Sequence, residues 1–103
     1  QYNRKECENR DADIARVLKL EGKSDSELTN SLINKIREFN VALNIPATMK
    51  EYGITEVDFL ANVKHIAHNA VLDACTGSNP RTIDDETMEK LLSCTFYGSE
   101  VKL

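Results

Sequence analysis

The sequence has no apolar run near the ~20 residues that a membrane-spanning helix requires, so no membrane partner is expected. It has no basic stripe either. Thirteen Lys and Arg stand against 17 Asp and Glu, a net charge of −4, and the cations are scattered, which argues against a nucleic-acid partner. Cys7, Cys75 and Cys94 are odd in number, widely spaced and without a C-x-x-C pair, so neither a disulfide framework nor a zinc site is expected. The opening "QYNRKECENR" lacks the apolar h-region of a secretory signal and the acid-free, Arg-rich character of a transit peptide. A reducing, cytoplasmic setting fits these absences. There is no internal repeat, no Ser/Gly/Pro-rich linker and no sustained period-two alternation. With 103 residues the chain is expected to form one domain, 1–103, around a single core, and to contain no strand.

What remains is helical periodicity, which predicts an all-α bundle of about four main helices. The first runs from Arg4 to about Lys19, with Cys7, Ile14, Ala15, Val17 and Leu18 as a weak apolar face and Gly22 as its stop. "SDSE", Ser24 to Glu27, has the form of a capping box, and Leu28, Leu32, Ile33, Ile36, Phe39 and Leu43 follow at helical spacing until Pro46 ends the ladder. "MKEYG" reads as a short turn closed by Gly53. A third helix starts at a Thr55 cap with Asp58 and carries Phe59, Leu60, Val63, Ile66, Ala67, Ala70 and Val71 on one stripe. The fourth is expected from a Thr82 cap with Asp85, through Met88, Leu91, Leu92 and Thr95, to Gly98, with acids in the first turn where the helix dipole favours them.

Few residues offer chemistry. His65 and His68, three apart on the third helix, are of metal-ligating type. At about 100° per residue, however, His65 falls opposite the apolar stripe and His68 on its polar flank, without a cysteine or carboxylate at ligand spacing. Both are expected in solvent. Cys75 lies at the C-terminal end of the third helix, whose negative pole disfavours a thiolate, so an inert pocket or core thiol is expected there. "ENRDAD" and "SDSE" lack the order of a calcium loop and read as caps and solvated faces. Tyr52 and Tyr97, each before a glycine, are placed to dock a helix end or line a surface. In "DACTGSNPR", Gly77 permits positive φ, Pro80 pushes Asn79 to an extended conformation, and Pro80 fixes φ just ahead of the next helix. Such a shaped loop serves either as a helix connector or as the wall of a site; the residues alone leave both open.

"CTGSNPR", together with "LNIPATMKEYGI" and "LLSCTFYG", resembles the C-terminal helical region of the iron-containing (group III) alcohol dehydrogenases, over nearly the whole chain from Tyr2 to Gly98. The resemblance implies a parent oxidoreductase that moves a hydride between NAD or NADP and an alcohol or aldehyde carbon, with iron, or zinc in some members, polarising the substrate oxygen. It also implies that the glycine-rich phosphate loop and the metal ligands, one aspartate and three histidines, belong to a part of such an enzyme preceding this region. No catalytic, cofactor-binding or metal residue is therefore assigned here. Cys75, Thr76 and Gly77 are the positions implied to line the substrate pocket.

The charge-rich stretch from Asn9 to Asp13 departs from the family's pattern. The expectation is a C-terminal fragment of a longer dehydrogenase, inactive and cofactor-free alone. Its partners would be the nucleotide-binding domain and the metal-binding helices of the parent. It would self-associate through apolar residues uncovered around "CTGSNPR" and the adjoining helix ends, Cys75 and Tyr97 included. The alternative is an independent acidic helical protein-interaction module.

Overall fold

Four of the five helices end in the same way, and that ending explains where the chain turns. A computed structural model describes every residue from Gln1 to Leu103 and contains α1 (Arg4–Val17), α2 (Asp25–Ala42), the single-turn α3 (Met49–Tyr52), α4 (Glu56–Leu72), a 3-10 turn (Thr76–Ser78) and α5 (Asp85–Tyr97), with no strand. The all-α expectation holds. After α1, α2, α3 and α5 one residue enters the left-handed region: Lys19 (φ 55°), Asn44 (φ 55°), Gly53 (φ 107°) and Gly98 (φ 75°). The amide that follows each returns to a carbonyl five residues back: Leu20 to Ala15, Ile45 to Asn40, Ile54 to Met49 and Ser99 to Cys94, at 2.9–3.1 Å. Gly53 and Gly98 take these positions as expected. Gly22 and Pro46 do not stop their helices; α1 ends at Val17 through Lys19, and α2 ends at Ala42 through Asn44, before either residue is reached.

N-termini follow the local cap chemistry. Ser24 Oγ accepts the Glu27 amide (3.2 Å), while the Glu27 carboxylate takes the Lys23 amide (2.6 Å), one residue earlier than a standard capping box. Thr48 and Glu51 repeat the arrangement on α3, where Glu51 Oε2 takes the Ala47 amide (2.9 Å). Thr55 caps α4 through Asp58, as expected. At α5 the cap is Asp84, which accepts the Thr87 amide (2.8 Å), and not Thr82. The side-chain hydrogen bond with Thr87 holds the Asp84 carboxyl below its usual range.

The chain folds as two compact units, Gln1–Ile45 and Pro46–Leu103, where sequence length suggests one core. In the first, Ala12 and Ala15 are fully buried with Leu28, and Leu20 and Leu32 pack on them. Two alanines on the α1 face allow close approach to the start of α2. Thr29, also buried, donates its hydroxyl to the Glu8 carbonyl (3.2 Å). Arg4 ties the helices at the edge, with Nε 2.7 Å from Glu8 Oε1, Nη1 2.8 Å from Asn30 Oδ1 and Nη2 2.7 Å from Ser26 Oγ. Arg16 does the same at the other end, pairing with Asp13 and Asp25. Cys7, non-helical at φ −140° and ψ 19°, kinks α1; partial burial, with Asp11 beside it, pushes its thiol up.

The second unit is built on Phe96. Its ring is fully buried and stacks on Phe59 with centroids 4.3 Å apart and planes 13° apart. Tyr97 stands edge-on to both rings. Met49, Val63 and Leu92 complete the cluster, and Ala67 is buried further along α4. The Tyr97 hydroxyl donates to Glu56 Oε1 at 2.6 Å, joining the end of α5 to the start of α4; that bond, with some desolvation, raises the phenol above its ordinary value. Tyr97 thus docks a helix end, one of its two expected roles.

Candidate functional site, the loop after the fourth helix

The only sequence that points to a site is "DACTGSNPR", and the structure closes it into a series of short-range hydrogen bonds. After α4 ends at Leu72, the Asp73 carboxylate accepts the Cys75 amide (2.8 Å). The Thr76 hydroxyl then donates to the Ala70 carbonyl (2.6 Å), satisfying one of the carbonyls that a helix end leaves without an intrahelical partner. Cys75 opens the 3-10 turn, and its carbonyl takes both the Ser78 hydroxyl (2.8 Å) and the Ser78 amide (3.2 Å). Asn79 is extended (φ −65°, ψ 136°), as the following proline requires, and its side-chain amide donates to the Arg81 carbonyl (2.5 Å). Arg81 Nη1 in turn donates to the Leu103 carbonyl (3.0 Å).

Within this loop Cys75 is exposed, with its thiol free, Thr76 is half-buried and Gly77 is exposed. Gly77 does not use positive φ. A side chain there would meet open space, so the turn's shape comes from the Asp73, Thr76, Ser78 and Asn79 bonds instead. Those bonds, and the Tyr97–Glu56 and Arg81–Leu103 pairs, were not foreseen from sequence. "D-A-C" and "S-N-P-R" carry the signal for the local ones, since Asp and Asn close such turns on neighbouring backbone.

His65 and His68 lie in solvent, as the helical angles predict. His68 Nδ1 is 2.8 Å from Asp85 Oδ2, linking α4 to the first turn of α5, and His65 Nε2 is 3.1 Å from Asn69 Nδ2. The two histidines are thus engaged with different neighbours and do not converge. No group of three or more His, Cys, Asp or Glu side chains is arranged to hold a metal ion. No helix is long and apolar enough to cross a membrane.

The chain is all-α with one motif-bearing loop fixed by its own hydrogen bonds, and comparison with known proteins supplies the family. The chain belongs to the Fe-containing alcohol dehydrogenase family, with residues 1–96 matching that family's C-terminal region. It is 45% identical to the NADPH-dependent butanol dehydrogenase of Clostridium saccharobutylicum over 97% of this chain and 26% of that enzyme. With the aldehyde-alcohol dehydrogenase of Clostridium acetobutylicum it shares 42% identity over 81% of this chain and 10% of that protein. The lactaldehyde reductase of Escherichia coli K12 is 36% identical over 71% of this chain and 19% of the enzyme. The chain therefore spans a quarter or less of the length of most of these relatives. The metal that the family's name implies finds no ligand set among the residues present, so no chemical step is assigned through it here.

Proposed function

We propose that the chain is the C-terminal helical part of a cytoplasmic, metal- and NAD(P)-dependent alcohol dehydrogenase that interconverts alcohols and aldehydes or ketones by hydride transfer. Residues preceding this region hold the metal and the nicotinamide cofactor. The observation that carries the reading is the family match across residues 1–96, joined to relatives named for butanol, lactaldehyde and aldehyde-alcohol chemistry. In this reading Cys75, Thr76 and Gly77 line the substrate end of the cleft. Cys75 fits the task because its thiol is exposed while its amide and carbonyl are both fixed by hydrogen bonds. A side chain so placed shapes a pocket without needing to move a proton.

In the full-length enzyme, Cys75→Ala is expected to change KM or the preference among alcohols by several-fold, with kcat for the best substrate nearly kept, because a lining group contributes similar contacts to ground and transition states. Complete loss of turnover with metal content and folding intact would make Cys75 catalytic and overturn the lining role.

The isolated chain is expected to retain neither iron nor zinc in stoichiometric amount and to oxidise no alcohol with NAD or NADP. It is also expected to self-associate. Ile36 and Phe39 on α2 and Leu43 at its C-cap, 50%, 53% and 69% exposed, fall on one side of the helix and give it a surface to bury. These residues are the core stripe of the periodicity argument, so the exposed apolar surface extends well beyond the Cys75 loop and Tyr97. Metal analysis, cofactor titration and sedimentation velocity on one preparation check all three points. Metal held through His65 and His68 would refute the first, and a clean monomer at high concentration would favour the interaction-module alternative.

A further inference from the structure

The segment after α5 turns back along that helix and ends at the loop described above. Gly98 supplies the left-handed turn, and the Glu100 carbonyl then lies 3.8 Å from Cys94 Sγ. Glu100, Lys102 and Leu103 form one wall of an open groove of about 440 Å³ whose helical wall includes Glu86, Lys90 and Cys94. Those three are spaced four residues apart on one face of α5, so the segment follows the helix from its C-terminal end toward its start. Val101 and Leu103 are half-buried while Glu100 and Lys102 are exposed, the alternation of an extended strap lying on a surface. Where the strap arrives, Arg81 Nη1 donates to the Leu103 carbonyl at 3.0 Å in a partly buried contact.

Arg81 is engaged from both its side chain and its backbone. Its carbonyl accepts from the Asn79 side chain (2.5 Å), the Asn79 amide returns to the Thr76 carbonyl (3.1 Å), and the Thr76 hydroxyl reaches the Ala70 carbonyl (2.6 Å). An unbroken series of hydrogen bonds therefore runs from Leu103 through the loop to the end of α4. Pro80, between Asn79 and Arg81, limits the backbone freedom with which the loop could absorb a displacement. The geometry points to a latch: Arg81 couples the strap 99–103 to the Cys75–Arg81 loop, and seating of the strap fixes the loop's conformation. Losing the Leu103 carbonyl leaves the guanidinium without this acceptor and frees the Arg81 end of the loop, while the Thr76 end stays pinned. The latch concerns the loop itself and stands whether or not the loop lines a substrate pocket.

Hydrogen exchange on the whole chain tests it, read at the amides of Ser78 and Asn79, which are bonded within the loop toward its Arg81 end. Arg81→Gln is expected to speed their exchange about tenfold, the scale for one charge-assisted hydrogen bond coupled to local opening. Ending the chain after Glu100 is expected to do the same. The two changes together should affect these amides no more than ending the chain alone, because the truncation already removes the Arg81–Leu103 contact. Arg81→Lys, which can still reach the carbonyl with a single N–H, should recover part of the protection and serves in place of Arg81→Gln if that variant fails to fold. Amides in the middle of α5 are expected to keep their rates. Unchanged loop exchange in either single variant, additive effects in the double variant, or equal acceleration through α4 and α5 would each overturn the latch.

Discussion

Phe96→Ala is expected to destabilise the unit Pro46–Leu103 by about 3–5 kcal/mol, a loss of most of the stability that so small a unit has. The size follows from what the ring does. Phe96 is fully buried, stacks on Phe59 at 4.3 Å and supports the edge of Tyr97, so its loss removes the central member of a three-ring cluster. Few other large side chains are buried with it; Phe59 and Val63 are the rest of the buried set, with Met49 and Leu92 half-covered. A unit this small has little means of closing the cavity and sits at the low end of the ~5–15 kcal/mol typical of folded domains. Tyr97 would also lose its support, and with it the hydroxyl's bond to Glu56 that joins α5 to α4. Circular dichroism with urea titration provides the measurement, Phe96→Leu being the volume-keeping comparison with a smaller loss. A Phe96→Ala variant within about 1 kcal/mol of the original chain would mean that the aromatic cluster does not hold this unit together.

Some of this architecture was legible in the sequence because its causes are local. Caps at Ser24 and Thr55 need only a hydroxyl and an acid three residues apart, and both form. At the start of α5, "TIDDET" offers two overlapping caps, Thr82 with Asp85 and Asp84 with Thr87; the chain takes the second, a choice that helical periodicity does not encode. Helical angles also put His65 and His68 in solvent correctly. Angles say which face of a helix is apolar but not what covers it. Hence Leu28 and Leu32 of the α2 stripe pack in the first core, while Ile36, Phe39 and Leu43 on the same stripe lie exposed. The division into two cores was illegible for the same reason. In the candidate site, the motif marked the loop, yet the bonds that fix its far end were invisible: Arg81 and Leu103 are 22 residues apart, and Tyr97 and Glu56 are 41 apart. Pairings at that range depend on packing, which no spacing rule supplies.

Gly22→Ala is expected to destabilise the unit Gln1–Ile45 by about 1–3 kcal/mol, although a Gly→Ala change in a loop ordinarily stabilises by about 0.4–1 kcal/mol through the unfolded chain. The reversal comes from space, as opposed to backbone angle. Gly22 is not among the left-handed residues, so an alanine could adopt its conformation. The new Cβ, however, would come 2.8 Å from the Leu28 amide nitrogen and 3.1 Å from the Glu27 carbonyl carbon. These are backbone atoms in the first turn of α2, held by the Ser24 cap and by Leu28's own bond to the Ser24 carbonyl at 2.9 Å, so they cannot swing aside as a side chain would. Relief requires the loop to move away, which pulls on the Lys23 amide bonded to Glu27 and on the packing of Leu28 against Ala12 and Ala15. Gly77→Ala is the matched comparison: it too lacks positive φ, but its Cβ meets nothing within 4 Å, so that variant is expected to be neutral or slightly more stable. Urea unfolding of both variants decides the matter. Equal midpoints for the two would mean that the close approach at Gly22 does not constrain the α1–α2 connection, whereas opposite signs identify Gly22 as the residue whose missing side chain lets α2 begin where it does.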